Sequence, residues 1–310
     1  MSGMALTWVL VAALIHATWN LLAKKTGGDV RFALVSQVAV ALVWAPVGLW
    51  FAWREVGAWG WLQWALIVAS GAIHAVYFVT LLRGYRLADL SVVYPLARGT
   101  GPLLTAMVAT VLLGESLGLL GWLGVLGVVL GILLISGGPA LWHALRAGRG
   151  GQAGDADGHP DAHLRRLRAG VGYGLLTGLC IAAYTVVDGY AVKRAGVSPV
   201  SVDYLGNVVR VPLTLLWILA LGRREPLPLA GYWRATWKPA LLIAAISPVA
   251  YVLVLYAATL APLSHVAPAR EVSMLFAALL GGTLLRERDA GLRLLGAASI
   301  AAGVIALAGS

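Results

Sequence analysis

Cysteine is almost missing: Cys180 is the only one in 310 residues. A single thiol closes no internal disulfide, so the chain has no redox-stapled framework. Charge is scarce too. Asp, Glu, Lys and Arg make up 12% of the residues, where a soluble domain carries about a quarter. Acidic residues are the rarest of these, 13 against 23 Lys and Arg, for a net charge of +10. In a soluble protein that excess would suggest nucleic acid, but no stretch interleaves aromatic and basic residues in a recognition pattern. No Gly-x4-Gly-Lys-Ser/Thr sequence occurs, which excludes a nucleotide-driven pump of that type. The N-terminus has neither a basic n-region nor a small-residue cleavage site. Its apolar run reads as a membrane helix kept in the mature chain.

Apolar residues fill the space that charge leaves. They are 60% of the chain, and the mean hydropathy is +0.85. A chain of this length cannot hide so much apolar surface from water, so lipid is the simplest solvent for it. The 38 glycines and 13 prolines fit membrane helices, which tolerate both better than soluble ones do. A crossing takes about 20 apolar residues. Ten such segments are predicted: 4–23, 32–53, 61–83, 89–113, 117–136, 169–192, 198–221, 238–260, 264–285 and 289–308. The fold expected is all-α integral membrane, with a polar flexible linker at 137–168 between halves at 1–136 and 169–310.

The halves repeat each other. Leu87-Ala88-Asp89-Leu90-Ser91-Val92-Val93-Tyr94-Pro95 aligns with Leu260-Ala261-Pro262-Leu263-Ser264-His265-Val266-Ala267-Pro268. After a one-residue deletion Arg98 meets Arg270, and Gly114-Glu115 meets Arg286-Glu287. Gly124 and Gly131 then pair with Gly296 and Gly303. Five helices is an odd number, so the second copy enters from the opposite side of the membrane. Two inverted five-helix repeats place a binding site at their interface near midplane. Seventeen basic residues fall in the odd-numbered connections and three in the even ones. By the positive-inside rule the odd connections are cytoplasmic and both termini outside.

Ionisable groups inside a bilayer are costly and usually face the bundle interior. Arg98 follows Pro95, and Arg270 with Glu271 follows Pro268. A proline frees a backbone carbonyl and can break its helix, as at substrate-site helices. The two arginines suit a carboxylate or phosphonate, and Glu271 an ammonium group or a coupling proton. An Arg98–Glu271 ion pair joining the halves is the structural alternative. Asp203, Asn207 and Arg210 share one face of the seventh helix, where Asn207 could equally be packing glue. His16 and Asn20, beside Trp19, either line a cavity or bond neighbouring helices. Tyr184 and Asp188 repeat that spacing in the second half, with Asp188 read as a solvated carboxylate. His74, Tyr77 and Tyr94 are further lining candidates. No carboxylate stands at ligand spacing from His16, His74 or His265, so no metal or other cofactor is expected. Asp155 to His163 resembles a ligand cluster but reads as solvated linker. Gly124, Gly127 and Gly131 read as a close-packing face.

The His16-Ala17-Thr18-Trp19-Asn20-Leu21-Leu22-Ala23-Lys24 stretch, the Pro95 region, the Gly114-Glu115 turn and the glycine-rich fifth helix resemble the EamA family of the drug/metabolite transporter superfamily. The resemblance spans nearly the whole chain. It implies ten helices, a central cavity with alternating access and a small-molecule substrate, often an amino acid or relative, often exported. Family members usually keep both termini cytoplasmic, the reverse of the charge count. The expectation is a non-enzymatic, multi-pass exporter of a bacterial inner membrane, monomeric or homodimeric, with proton coupling left open. A lipid-linked sugar flippase or a membrane-embedded lipid-phosphate hydrolase is the alternative.

Overall fold

The computed structural model describes residues 1–25, 30–136, 160–221, 229–280 and 290–310. Among them the chain forms twelve α-helices and one 3₁₀ turn, Val56–Ala58. In order the helices are α1 (Gly3–Lys25), α2 (Val30–Val43), α3 (Ala45–Glu55), α4 (Trp61–Leu87), α5 (Leu90–Leu112), α6 (Leu119–Ile135), α7 (Pro160–Lys193), α8 (Pro199–Leu221), α9 (Leu229–Leu260), α10 (Leu263–Ala269), α11 (Val272–Leu280) and α12 (Ala290–Gly309). Six of these, α1, α4, α7, α8, α9 and α12, are long and apolar enough to cross a membrane. The bent pair α2–α3 makes a seventh if counted as one span. α6 is apolar but has 17 residues, and α5 carries Pro95, Arg98 and Pro102 along its length. α7 starts at Pro160, so residues 160–168, read from sequence as linker, are helical. Proline suits that first position, where its missing N–H would have no partner.

The 32–53 segment is not one straight helix. It bends by 66° between α2 and α3. Pro46, the second residue of α3, cannot donate back to Leu42 and so weakens the helix at that point. Trp44 fixes the bend, its indole N–H donating to the Ala244 carbonyl at 2.9 Å. That carbonyl is free because Pro248, four residues on, has no N–H to offer it.

Large apolar side chains cover much of the outside, while a set of polar ones is buried among the apolar core. On α6, Leu119, Leu123, Leu126 and Leu130 are all exposed, while Val125, Val128 and Ile132 on the opposite face are fully buried. Ser70, His74, Asp188, Asn207, Ser264, His265, Arg270, Glu271 and Ser273 are buried instead. A soluble protein reverses this order, because exposed apolar patches beyond a few hundred Å² mark contact with something other than water. Lipid chains are the contact that fits so many exposed large apolar side chains.

Glycines set the closest helix crossing. A Cβ on Gly124 would fall 2.8 Å from the Gly303 carbonyl, and one on Gly296 would fall 2.9 Å from the Gly131 carbonyl. α6 and α12 therefore touch backbone to backbone. Elsewhere α1 packs on α9 and on α10–α11, while α7 packs on α4 and α5. α2 packs on α9 as α4 does on α8, and α2 meets α8 directly.

One end of the bundle gathers both termini and the connections after α3, α5, α7 and α9. The N-terminal ammonium donates to the Ala308 carbonyl at 2.9 Å. Ser198 N–H donates to Glu55 at 3.1 Å, and Gln63 donates to the Ala195 carbonyl at 3.2 Å. The three basic residues of this end are all engaged. Arg54 lies over the Trp50 ring at 4.7 Å, Lys193 pairs with Glu115 at 2.9 Å, and Arg194 donates to the Leu113 carbonyl at 3.1 Å.

Candidate functional site

The site is built around a break in the chain. α10 ends at Ala269 and α11 starts at Val272, leaving Arg270 and Glu271 in the turn between them. Bonding tightens there to the 3₁₀ pattern: Glu271 N–H donates to Pro268, Ser273 N–H to Arg270 and Met274 N–H to Glu271, at 3.0, 3.1 and 2.9 Å. Such a stretch between two helical segments frequently marks a functional hinge. The residue deleted from the second repeat falls at this turn. α5, which has that residue, runs unbroken through Pro95 and Pro102. The break that either proline could make therefore occurs at one of them. Pro102 still has an effect in α5, because it leaves the carbonyl of Arg98 without an intrahelical donor.

α10 is held at its N-terminus from the other half of the chain. The Glu115 carboxylate, in the turn after α5, accepts the N–H groups of Leu263 and Ser264, both at 2.8 Å. Lys193 bridges Glu115 and the Ala261 carbonyl, each at 2.9 Å. Anionic caps suit the positive end of a helix and its unpaired N–H groups. Burial pushes the Glu115 carboxyl up, but the Ser264 N–H, Lys193 and the Leu263 N–H outweigh it and hold the group below its ordinary value.

At the break two arginines share one carboxylate. Arg98 Nη2 lies 3.0 Å from Glu271 Oε2, and Arg270 Nε lies 3.6 Å from Oε1. Glu271 is 1% exposed and the Arg98 side chain 17%. Arg98 also donates to the Ser273 hydroxyl at 3.4 Å. The ion pair between halves, one of the two readings of these residues, is thus formed. It leaves capacity unused. Arg98 Nε and Glu271 Oε2 are buried without an aligned hydrogen bond, so the Arg98–Glu271 contact is ionic without being a full hydrogen bond. The group carries a net charge of +1 in an interior where an unmatched charge is costly.

An aromatic wall stands beside the charges. His74 stacks on Tyr184 with ring centroids 3.9 Å apart. Tyr77 meets Tyr184 edge-on at 5.7 Å, and Tyr251 meets His74 edge-on at 5.9 Å. His74 Nδ1 lies 2.9 Å from the Ser70 carbonyl, which requires the proton on that nitrogen. Tyr184 reaches Arg270, and Tyr251 donates to Asp188 at 2.5 Å.

The residues singled out from sequence divide into those the fold brings to this centre and those it does not. Arg98, Arg270, Glu271 and His74 stand together, and Tyr94 lies within electrostatic range of Arg98. His16 lies within range of both arginines, its ring edge-on to Trp19 at 5.0 Å. Arg210, half-buried with its Nε lacking a partner, faces His74 and Asp203 from α8. Asn207 is taken up as a link between helices, donating to the Gln37 carbonyl at 2.9 Å. Asn20 is exposed, and its amide turns back onto the His16 carbonyl of its own helix at 2.8 Å. Asp188, expected to be solvated, is 1% exposed; α9 covers it and supplies Tyr251. Sequence reasoning passed over Tyr251, Ser70 and Ser273. Ser273 stands one turn after Arg270, and Tyr251 is a lone hydroxyl in an apolar run, which is a weak signal. Arg286, Glu287 and the Asp155–His159 part of the linker cluster lie outside the described residues.

No curated protein matches this chain by sequence. Among solved structures 26 chains match. One of them, described only as "Crystal structure of protein", superposes with a TM-score of 0.68 at 17% identity, covering 99% of this chain and 96% of its own. That likeness is one of fold. The sequence model of the EamA-like transporter family matches residues 3–137 and again 168–309, nearly the whole length in two segments of similar size. The chain therefore belongs to the EamA-like transporter family, multi-pass membrane transporters of the drug/metabolite superfamily.

Proposed function

We propose that this protein is a secondary transporter of a bacterial-type inner membrane that exports a small anionic or zwitterionic metabolite, such as an amino acid or amino phosphonate. The observation that carries this reading is the Arg98–Glu271–Arg270 group, with its net positive charge and its unused donor and acceptor. A substrate carboxylate or phosphonate takes the free guanidinium edges in bidentate fashion. The ammonium group of a zwitterion takes Glu271 Oε2. His16, Tyr94 and Arg210 complete the lining, and the His74–Tyr184 stack supplies an apolar face.

Alternating access follows from reading the chain as ten spans in two inverted repeats. Several contacts support that reading. Exchange the halves, and the packing of α1 on α9 and α10–α11 becomes that of α7 on α4 and α5. The Gly124–Gly303 approach becomes Gly296–Gly131. The two states would then be related by rocking one half against the other around the arginines. Orientation with both termini outside is supported by the charge count. The connections at the terminal end carry three basic residues and those at the opposite end seventeen, which suits the opposite end to the anionic cytoplasmic leaflet.

Uptake and efflux of a panel of labelled amino acids and aminomethylphosphonate, in vesicles holding the purified protein, test the proposal. Saturable movement of at least one panel member is the expected result. No movement of any of them, together with hydrolysis of an added lipid phosphate, would overturn it in favour of an enzyme.

A further inference from the structure

One buried acid plays no part in the site as described. Asp188 stands on α7, one turn after Tyr184. Its Oδ2 accepts the Tyr251 hydroxyl, and Ser70 of α4 stands nearby. Its Oδ1 is buried with no hydrogen-bond partner. No ion pair reaches Asp188 among the described residues, in contrast to Glu271 and Glu115. A bare carboxylate with an unused lone pair is costly in such surroundings, and a neutral carboxylic acid is far less so.

We infer that Asp188 Oδ1 is a proton-binding site, and that its proton is linked to occupation of the arginines by the substrate anion; the second half of this rests on the transport reading above. The proton comes from water and settles on Oδ1, while Tyr251 keeps its bond to Oδ2. The groups that face Asp188 set its charge balance. They are Ser70 and His74 from α4, Tyr251 from α9, Asp203 and Arg210 from α8, and Arg270 with Glu271 beyond Tyr184. Arg98 of α5 also lies within electrostatic range of Tyr184.

The sign of the coupling follows from charge. An ionised Asp188, bonded to Tyr251, which lies within electrostatic range of Arg270, and facing Arg210, repels an anion arriving at the site, whereas a protonated one does not. Protonation therefore strengthens anion binding, and by reciprocity the anion strengthens proton binding. Proton and anion are taken up together and released together, so the two move in the same direction, and export runs down the substrate's own gradient.

Infrared titration of the full-length protein in lipid, with no substrate present, tests the site by itself. A protonated-carboxyl stretch should be present at mildly acidic pH, and one component of it should disappear in Asp188→Asn, shift in Asp188→Glu and Tyr251→Phe, and persist in Glu271→Gln and Asp203→Asn. A wild type without that band, or a band untouched in Asp188→Asn and Asp188→Glu, overturns the proton site. The linkage is read in vesicles with a pH dye inside, using the amino acids and aminomethylphosphonate of the panel. Wild-type entry should acidify the lumen. Asp188→Asn should lose the acidification and keep self-exchange of the same compound. Flux without proton movement, or in the opposite sense, overturns the linkage. If no panel member moves, the transport reading fails, while the infrared result still decides the site.

Discussion

Replacing Glu115 by Gln tests how the broken helix is held. The carboxylate accepts two backbone N–H groups at the start of α10 and pairs with Lys193, all at 2.8–2.9 Å. Glutamine keeps one oxygen, so one N–H bond and the ion pair are lost. A hydrogen bond to a charged group contributes about 1.5–3 kcal/mol. The equilibrium for releasing α10 should then shift by roughly tenfold to hundredfold. Hydrogen exchange followed by mass spectrometry reads this directly, as faster exchange confined to residues 263–269. The effect depends on pH in a definite direction. The folded protein holds the Glu115 carboxyl below its ordinary value. Its contribution is therefore complete above the unfolded value, about 4.3, and is lost as pH falls through the folded one. Wild-type protection of α10 should drop in acid, and Glu115→Gln should show no such step. Equal exchange at 263–269 in both proteins at neutral pH would mean that packing alone holds α10, and the reasoning would be wrong.

Four other outcomes follow from the same geometry. Arg98→Gln removes the 3.0 Å partner of Glu271 and should destabilise by about 3–5 kcal/mol, seen as a lower melting point by labelling of Cys180. Adding Glu271→Gln should restore much of that stability without restoring transport. Leu at Gly124 or Gly296 should force α6 and α12 apart, costing about 1–3 kcal/mol on the same melting assay, whereas Leu at Gly3, where a Cβ would meet nothing, should cost little. A reporter fused after Ser310 should be active only in the form that senses the outside.

Much of the fold is legible in composition and hydropathy, because lipid-facing helices need long apolar runs and say so in every turn. The positions of Pro95, Arg98, Pro268, Arg270 and Glu271 were legible as well, since prolines and charges inside such runs are exceptional. What was not legible is which proline breaks its helix. Pro95 and Pro268 look alike in sequence, and the difference lies in one deleted residue and in a cap supplied by Glu115 from the other half. Asp188 was misread for a similar reason. Its depth depends on α9 lying across it, a contact between segments about sixty residues apart that no local pattern records. Asn20 and Asn207 both look like polar groups in apolar helices, and only tertiary contacts separate the exposed one from the one that binds helix to helix.

The central claim is that a positively charged pair of arginines, sharing one carboxylate, receives the substrate anion. Flux of the panel compounds through vesicles holding wild type, Arg98→Gln or Arg270→Gln tests it most directly. Transport of at least one carboxylate or phosphonate by the wild type, lost in both single variants that still assemble in the membrane, is the predicted result. Transport that survives both substitutions, or that prefers a cation or a neutral compound, would contradict the account.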